Sequence, residues 1–267
     1  MSTRRRFLGT VAGVASAALL TVGVTTAAAR PAEVAGHSGP KPTVVLLHGA
    51  FADGSSWNEV SERLQRDGYK VVVPAVPLRS IQGDTEYLSG VLAGIPGPKV
   101  LVGHSYGGAL VSQLADTPGV KSLVYVAAFI PQAGETIGDL NAKYPGSQIG
   151  PDTTNTITYP GGVDLIMKPE SFRQVFAADL PRKQAALLGA SQRPVAAAVF
   201  GEKVLETAPA NLPKYAVVAT GDKAIPPAGE RFMADRAHAT TIEVNGSHLV
   251  ALSQPDKVTH LIERAAR

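Results

Sequence analysis

Short apolar runs alternate with amphipathic stretches along most of the chain. The apolar runs are rich in β-branched residues, which is typical of strands in a parallel sheet with both faces covered by helices. The strand candidates are residues 43–47, 70–73, 100–102, 122–127, 215–219 and 240–244. The helical candidates are residues 56–66, 85–92, 109–115, 228–236 and 255–267. This alternation predicts an α/β fold with a mostly parallel sheet of about six strands, right-handed crossovers and helices on both faces.

The alternation breaks once, between residues 131 and 211. This part contains a possible hairpin and then helical stretches. The hairpin strands are residues 156–159 and 163–166, with a turn at 160–162, and the helical stretches are residues 170–178, 182–188 and 195–200. Such a length without a strand of the main sheet is too long for an ordinary loop. We therefore expect a cap insertion at 131–211 in a core made of residues 43–130 and 212–267, and a cap shapes the pocket and excludes water.

The first residues form a separate segment. Three consecutive arginines begin at Arg4, and an apolar run follows that ends in three alanines at residues 27–29. This order is typical of a secretory signal, and the paired arginines before Phe-Leu favour the twin-arginine route. The alternative is a membrane anchor, but the run is too weakly hydrophobic for stable spanning. We expect a signal peptide at 1–29 that delivers the precursor to the twin-arginine export machinery, a flexible lead-in at 30–42, and a secreted or periplasmic mature protein.

Composition narrows the class of protein. The chain has 267 residues, of which 45% are hydrophobic and 18% are charged, and this suits one globular domain with a sizeable core. It has no cysteine, which excludes disulfides, thiolate chemistry, cysteine-bound metals and a lipoprotein anchor. Cleavage after Ala29 would remove three of the 25 Lys and Arg residues and none of the 22 Asp and Glu residues. The mature chain is then balanced in charge and has no basic cluster, so we expect no nucleic-acid partner.

One pentapeptide indicates a catalytic serine. Residues 103–107 read Gly-His-Ser-Tyr-Gly, after a predicted strand and before a predicted helix. A Gly-x-Ser-x-Gly sequence in that context is typical of a nucleophile elbow, a strained turn that exposes a serine hydroxyl above the sheet. The pentapeptide alone is a weak signal because short motifs arise by chance. Ser105 therefore needs a base, an acid and an oxyanion site elsewhere in the chain.

The base and the acid are expected at the ends of later strands. His248 follows the strand at 240–244, and Asp222 follows the strand at 215–219. On this kind of fold the order along the chain is Ser, then Asp or Glu, then His. The alternative roles are a helix cap for Asp222 and a solvated loop residue for His248. Four other histidines fit the role of base less well, because they lie in or near helices, point away from Ser105, or precede the core: His260, His238, His104 and His37.

The oxyanion site requires two backbone N–H groups that point at the developing negative charge. One is expected from Tyr106, directly after the serine, and the other from Ala50, in the turn after the first strand. His48 precedes that turn and is expected to stabilise it. An apolar wall beside the serine favours an alkyl or aryl substrate, although each of its residues also fits ordinary core packing. The predicted wall consists of Phe51, Tyr106, Phe129, Ile130 and Leu249.

Several blocks of the chain resemble the α/β-hydrolase superfamily, and the resemblance spans nearly all of the chain after the signal. The blocks are residues 48–50 with 54–57, 103–108, 127–131, 222–226 with 231–233, and 247–255. Within the superfamily the chain is similar to the branch of plant methyl-ester esterases, plant hydroxynitrile lyases and their bacterial relatives. The resemblance implies a triad of Ser105, Asp222 and His248, with Ala50 and Tyr106 at the oxyanion hole.

Two positions favour esterase over lyase chemistry within that branch. The lyases carry a threonine at the position of Gly49 and a lysine at the position of Leu249. The resemblance therefore implies a serine hydrolase that cleaves a carboxylic ester of a small apolar substrate, with no cofactor and no metal. A receptor-like binding protein with little turnover is the main alternative. Lactonase, amidase and cofactor-free haloperoxidase activities share the triad and stay open, and hydroxynitrile lyase activity fits least well.

Overall fold

The computed structural model describes residues 40–267, so the predicted signal peptide and most of the lead-in lie outside the described residues. The strands are β1 (Thr43–Leu47), β2 (Val71–Val72), β3 (Lys99–Ser105), β4 (Val120–Ala128), β5 (Thr154–Tyr159), β6 (Gly162–Met167), β7 (Val195–Ala196), β8 (Lys214–Ala219) and β9 (Thr240–Val244). The α-helices are α1 (Asn58–Arg66), α2 (Ile81–Ala93), α3 (Tyr106–Gln113), α4 (Ile137–Ala142), α5 (Pro169–Phe176), α6 (Arg182–Ser191), α7 (Pro227–Arg236), α8 (Val250–Ser253) and α9 (Pro255–Ala265). Two 3-10 helices cover Gly54–Trp57 and Ala197–Gly201.

Six strands form the main sheet, in the order β2-β1-β3-β4-β8-β9. Each neighbouring pair in this sheet is parallel. From β1 in the interior of the sheet, the chain adds β2 on one side, crosses back to β3 and continues outward to β9. This confirms the predicted α/β fold with six parallel strands. Because all six strands run in the same direction, the loops that follow them lie at one edge of the sheet.

Alternate residues of β1 pack into apolar clusters on the two faces of the sheet. Val44 and Leu46 belong to the cluster that includes α1 and α9, and Val45 and Leu47 belong to the cluster that includes α2, α3 and α7. All four side chains are buried. Helices therefore cover both faces, and this explains why β1 is a continuous apolar run rather than an alternating one.

Residues 129–213, here called the β4–β8 segment, contain a second sheet of strands β5, β6 and β7. The pairings in this sheet are antiparallel, and the predicted hairpin is present. Tyr159 pairs with Gly162, so the turn consists of Pro160 and Gly161, and Gly161 adopts a φ of 96° that suits glycine. Apolar side chains of the segment, among them Met167, join the cluster on the α2–α3 face of the main sheet.

Two sequence-based boundaries were wrong for physical reasons. The helix expected at 195–200 starts instead with the short strand β7, because Val195 and Ala196 pair with β6. The second helix starts at Ile81, four residues before its predicted start at 85, because the Ser80 side chain accepts the N–H of Gly83 and caps it. No helix in the described part of the chain is long and apolar enough to cross a lipid bilayer.

The backbone packs closely at the centre of the sheet, and substitution of two helical glycines, one at the close approach and one in open space, tests this. A Cβ on Gly107 in α3 would lie 2.6 Å from the carbonyl oxygen of Leu47, whereas a Cβ on Gly90 in α2 would meet nothing within 4 Å. We expect Gly107→Ala to lower the free energy of unfolding by about 1–3 kcal/mol through overpacking. The matched control Gly90→Ala should raise it by about 0.5–1 kcal/mol through helix propensity. Urea unfolding of both variants checks this, and effects of equal sign and size would contradict the close approach.

Candidate active site

Ser105 lies at the junction where β3 runs directly into α3. Its backbone has a φ of 53° and a ψ of −120°, a strained conformation for a residue with a side chain. The flanking glycines permit this turn because a Cβ on Gly103 would lie 2.4 Å from the carbonyl oxygen of Gly107. The strand–turn–helix context that the pentapeptide predicted is therefore present around Ser105.

Asp222 and His248 form a buried pair at the carboxyl edge of the sheet. Asp222 follows β8 and His248 follows β9, and Nδ1 of His248 lies 2.5 Å from Oδ2 of Asp222. Both side chains have no exposed surface. Oδ1 of Asp222 accepts the N–H groups of Ala224 (2.6 Å) and Ile225 (3.0 Å), so this carboxylate caps its own loop and also holds the histidine.

The Asp222 contact assigns the tautomer of His248. A carboxylate only accepts hydrogen bonds, so Nδ1 carries a proton, and in the neutral imidazole Nε2 is then the nitrogen with the lone pair. Nε2 is buried and has no hydrogen-bond partner among residues 40–267. In the neutral ring this nitrogen is therefore the one that can accept a proton.

His104 links the loop of His248 to the strand that carries Ser105. Its Nε2 lies 2.9 Å from the carbonyl oxygen of His248, and the two imidazole rings lie 4.6 Å apart between centroids. Burial, followed by the charge of His248, holds the pKa of His104 well below its usual value. His104 is thus a neutral donor that fixes the backbone of His248, in keeping with the expectation that it does not face the serine hydroxyl.

The turn after β1 approaches Ser105 closely. A Cβ on Gly49 would lie 2.6 Å from Cβ of Ser105, so the backbone that leads to Ala50 contacts the serine. His48 stabilises this turn: its Nδ1 donates to the carbonyl oxygen of Gly49 and its Nε2 accepts the N–H of Val76, both at 3.0 Å. Burial lowers the pKa of His48, which keeps the ring neutral for this pair of bonds.

Tyr106 is the first residue of α3, so its N–H has no partner within the helix. Its hydroxyl donates to Oδ2 of Asp84 at 3.0 Å, and Asp84 also accepts the N–H groups of Leu78 and Arg79. Burial, followed by the charge of Asp84, raises the pKa of Tyr106, so the hydroxyl stays a donor. The Tyr106 ring is therefore tied to α2 by a buried carboxylate that the sequence did not mark.

The predicted wall residues are buried but do not all border one space. Phe51 and Leu249 border a cavity of about 10 Å³ that also contacts Phe172, which is room for no more than one water molecule. Ile130 borders a different cavity of about 200 Å³. Phe129 is joined to the serine through its N–H, which donates to the carbonyl oxygen of Ser105 at 3.2 Å. The structure thus brings Phe51 and Leu249 together and leaves Ile130 apart from them.

The β4–β8 segment contacts the loop of His248 through residues that the sequence did not identify. The Phe176 ring lies 4.7 Å from the His248 ring, and its carbonyl oxygen accepts the N–H of Leu249 at 2.9 Å. Asp179 accepts the N–H of Ser247 at 2.9 Å and also its hydroxyl proton. No motif marked Phe176 or Asp179, because contacts between distant parts of a chain leave no local pattern.

A larger cavity of about 690 Å³ lies within the β4–β8 segment, and Asn141, Ile149, Leu165 and Phe200 are among the residues that line it. None of the predicted site residues borders this cavity. Within residues 40–267, no group of three His, Asp or Glu side chains is arranged to hold a metal ion.

The family model for the alpha/beta hydrolase family matches residues 44–261. Among curated proteins, a carbendazim hydrolyzing esterase of Nocardioides sp. is 33% identical over 116 residues, which cover 37% of this chain and 47% of the esterase. A pyrethroid hydrolase of Sphingobium wenxiniae is 26% identical over 249 residues, which cover 82% of this chain and 85% of the hydrolase. The match therefore spans about half of the first relative and most of the second.

Solved structures share the fold at lower identity. A pyrethroid hydrolase from Sphingobium faniae superposes with a TM-score of 0.69 at 23% identity, covering 84% of this chain and 97% of that one. Polyneuridine aldehyde esterase superposes with a TM-score of 0.73 at 21% identity, covering 85% of this chain and 100% of that one. At these identities the similarity supports the architecture.

The neutrality of His104 predicts a pH dependence of stability. The unfolded chain takes up a proton on this histidine below pH 6.5, its ordinary pKa, whereas the folded chain resists it. Stability that is present above pH 6.5 is therefore lost as the pH falls. We expect His104→Gln to flatten the pH dependence of the unfolding free energy below pH 6.5 by up to about 1.4 kcal/mol per pH unit. Urea unfolding between pH 7 and about 5 measures how the unfolding free energy depends on pH. The control is His260→Gln, since His260 is exposed. If His104→Gln left the slope of unfolding free energy against pH unchanged, His104 would not be a histidine that stays neutral in the folded protein.

Proposed function

This chain belongs to the alpha/beta hydrolase family, and we propose that it is a serine esterase that cleaves carboxylic esters of small apolar substrates. Ser105 is the nucleophile, His248 the base and Asp222 the acid. The observation that carries this proposal is the buried His248–Asp222 pair, in which Nδ1 of His248 is bonded to the carboxylate and Nε2 has no partner among the described residues. The esterase and hydrolase names of the two curated relatives support the same reaction class.

The reaction proceeds through an acyl-enzyme. Oγ of Ser105 attacks the ester carbonyl carbon while Nε2 of His248 takes the hydroxyl proton, and the resulting imidazolium returns that proton to the departing alcohol. Water then attacks the acyl group, again with Nε2 as the base, and releases the carboxylic acid and Ser105. Asp222 holds the reactive tautomer of His248 and stabilises the imidazolium that forms in each step.

The negative charge on the carbonyl oxygen is stabilised by the N–H groups of Ala50 and Tyr106. The proposal is supported by the place of Tyr106 at the start of α3, where the helix leaves N–H groups free, and by the contact between the Gly49 turn and Ser105. That contact also favours esterase over lyase chemistry. A threonine at position 49 would place its Cβ 2.6 Å from Cβ of Ser105, so the site has little room for the lyase side chain.

We propose that residues 131–211 form a cap that opens to admit the substrate. Phe176 of α5 packs against Phe51 and His248, Phe172 stacks on Phe176, and the cavity that Phe51 and Phe172 share is about 10 Å³. We infer that α5 moves away from Leu249 to make room for an ester beside His248, where the carbonyl oxygen of Phe176 now accepts the N–H of Leu249. The apolar side chains that this motion exposes favour an alkyl or aryl group over a charged one.

We further propose that the precursor is exported through the twin-arginine route and that the mature protein is secreted or periplasmic. The support is the arginine pair and the small-residue end of the 1–29 segment. The exported protein would then act on a small-molecule ester outside the cytoplasm.

Ester hydrolysis by the mature protein tests the proposal. Short p-nitrophenyl esters should be hydrolysed, and Ser105→Ala should lower kcat by about 10⁴-fold or more, because the remaining groups retain only oxyanion binding. A fluorophosphonate should label the wild-type protein at Ser105 and leave Ser105→Ala unlabelled. Ser89→Ala is the matched control, since Ser89 is exposed on α2.

Absence of both turnover and labelling across a panel of esters would exclude the hydrolase assignment. Labelling of Ser105 without turnover would favour the receptor-like alternative.

A further inference from the structure

A second carboxyl group lies buried close to Asp222, because both residues bond the backbone of Ala219: Glu230 accepts its N–H, and the N–H of Asp222 donates to its carbonyl oxygen at 3.0 Å. Glu230 of α7 is 3% exposed, and its Oε2 accepts the N–H of Ala219, the last residue of β8, at 3.0 Å. Its other oxygen, Oε1, is buried and has no hydrogen-bond partner within residues 40–267. A buried polar atom without a partner costs free energy. An unpaired Oε1 of Glu230 at this place therefore indicates either a function or a contact with a group other than the ordinary donors and acceptors around it.

The groups around Glu230 favour its uncharged form. Burial, followed by the negative charge of Asp222, raises the pKa of Glu230 well above its usual value. The cation that acts on it is Arg231, but the Arg231 guanidinium pairs with Glu243 on the protein surface. His248, from the loop after β9, faces Asp222 from the other side. Two carboxylates in one dry site do not both ionise, and Asp222 already accepts three hydrogen bonds.

The hydrogen bonds then fix where the proton of Glu230 lies. Oε2 accepts the N–H of Ala219, as the carbonyl oxygen of a carboxylic acid does best, so we place the proton on Oε1. A carboxylate has about four lone-pair positions, and Asp222 uses three of them, which leaves one for a further donor. Asp222 is the charged group that acts most strongly on Glu230.

We propose that Glu230 is a positioning residue, a neutral carboxylic acid whose Oε1–H is directed at Asp222 and holds the Asp222 carboxylate against Nδ1 of His248. The inference rests on the proposed function, since it assigns Glu230 a part in orienting the base of that reaction. Glu230 touches neither substrate nor the reacting atoms, and it acts through Asp222. When Glu230 loses its proton at high pH, its carboxylate repels the carboxylate of Asp222. Asp222 then no longer holds the His248 ring in its reactive orientation.

Two variants at this position separate the proposal from a purely structural role. Glu230→Gln keeps the shape, an acceptor for Ala219 and a donor for Asp222, but it does not ionise. Glu230→Leu removes both the donor and the acceptor. We expect Glu230→Leu to lower kcat by about 10–100-fold, the range typical of groups that orient a catalytic side chain from behind, with little change in KM. Glu230→Gln should retain the wild-type kcat and KM near neutral pH.

The pH profile is the decisive readout. Wild-type kcat for p-nitrophenyl ester hydrolysis should fall at alkaline pH as Glu230 ionises, and this alkaline limb should be absent in Glu230→Gln. The matched control is Glu243→Gln, an exposed carboxylate that pairs with Arg231, and it should keep the limb. A limb unchanged in Glu230→Gln, or a Glu230→Leu protein with wild-type kcat, would overturn the proposal. Because Glu230→Gln preserves both hydrogen bonds, the test does not depend on whether Glu230→Leu folds.

A stability measurement keeps this inference separate from the proposed function. The pKa of Glu230 is raised in the folded protein, so its contribution to stability is full below the unfolded value of 4.5 and is lost as the pH rises through the folded value. The urea midpoint of Glu230→Gln should therefore rise relative to wild type as the pH increases above 4.5. A constant difference between the two midpoints would show that Glu230 is not held protonated, whether or not the protein hydrolyses esters.

Discussion

The close approach of three backbone segments around Ser105 is the constraint on which the site depends. The turn after β1, the end of β3 and the start of α3 meet so tightly that side chains at Gly49, Gly103 or Gly107 would collide with neighbouring atoms. Ser105 is held there in a conformation that costs of order 1–3 kcal/mol. The buried central strands, covered on both faces, offset this strain and keep the turn rigid. The same packing brings the Ala50 turn beside the serine that we propose as nucleophile.

Buried polar side chains then hold the loops around that turn. His48 joins the first turn to Val76, His104 joins β3 to the backbone of His248, and Asp84 ties Tyr106 to α2. Each of these groups is buried and hydrogen-bonded, so a break in any one leaves an unsatisfied polar atom. The two histidines stay neutral because burial opposes their charge. His248 differs from both because it pairs with a carboxylate, and this is what suits it to the proposed role of base.

Much of the fold followed from local patterns, and much of the site did not. The central strands β1, β3, β4 and β8 were predictable because strands buried on both faces read as continuous apolar runs, and the order of the strands placed Asp222 and His248 at strand ends. The short strand β7 was missed because it exists only through pairing with β6. Phe176, Asp179 and Glu230 carried no signal, since their importance comes from contacts with loops far away in sequence. Ile130 lies on a different cavity from Phe51 and Leu249, because adjacency to a strand end does not determine which way a side chain faces.

A crystal structure of the mature protein inactivated by a phosphonate ester tests the central claim most directly. The account predicts phosphorus bonded to Oγ of Ser105, with the phosphonyl oxygen about 2.7–3.1 Å from the N–H nitrogens of Ala50 and Tyr106. It also predicts Nε2 of His248 within hydrogen-bond distance of Oγ of Ser105 or of the ester oxygen that stays on phosphorus, with the Asp222 contact retained. An adduct on another residue, or a phosphonyl oxygen directed away from both N–H groups, would contradict it.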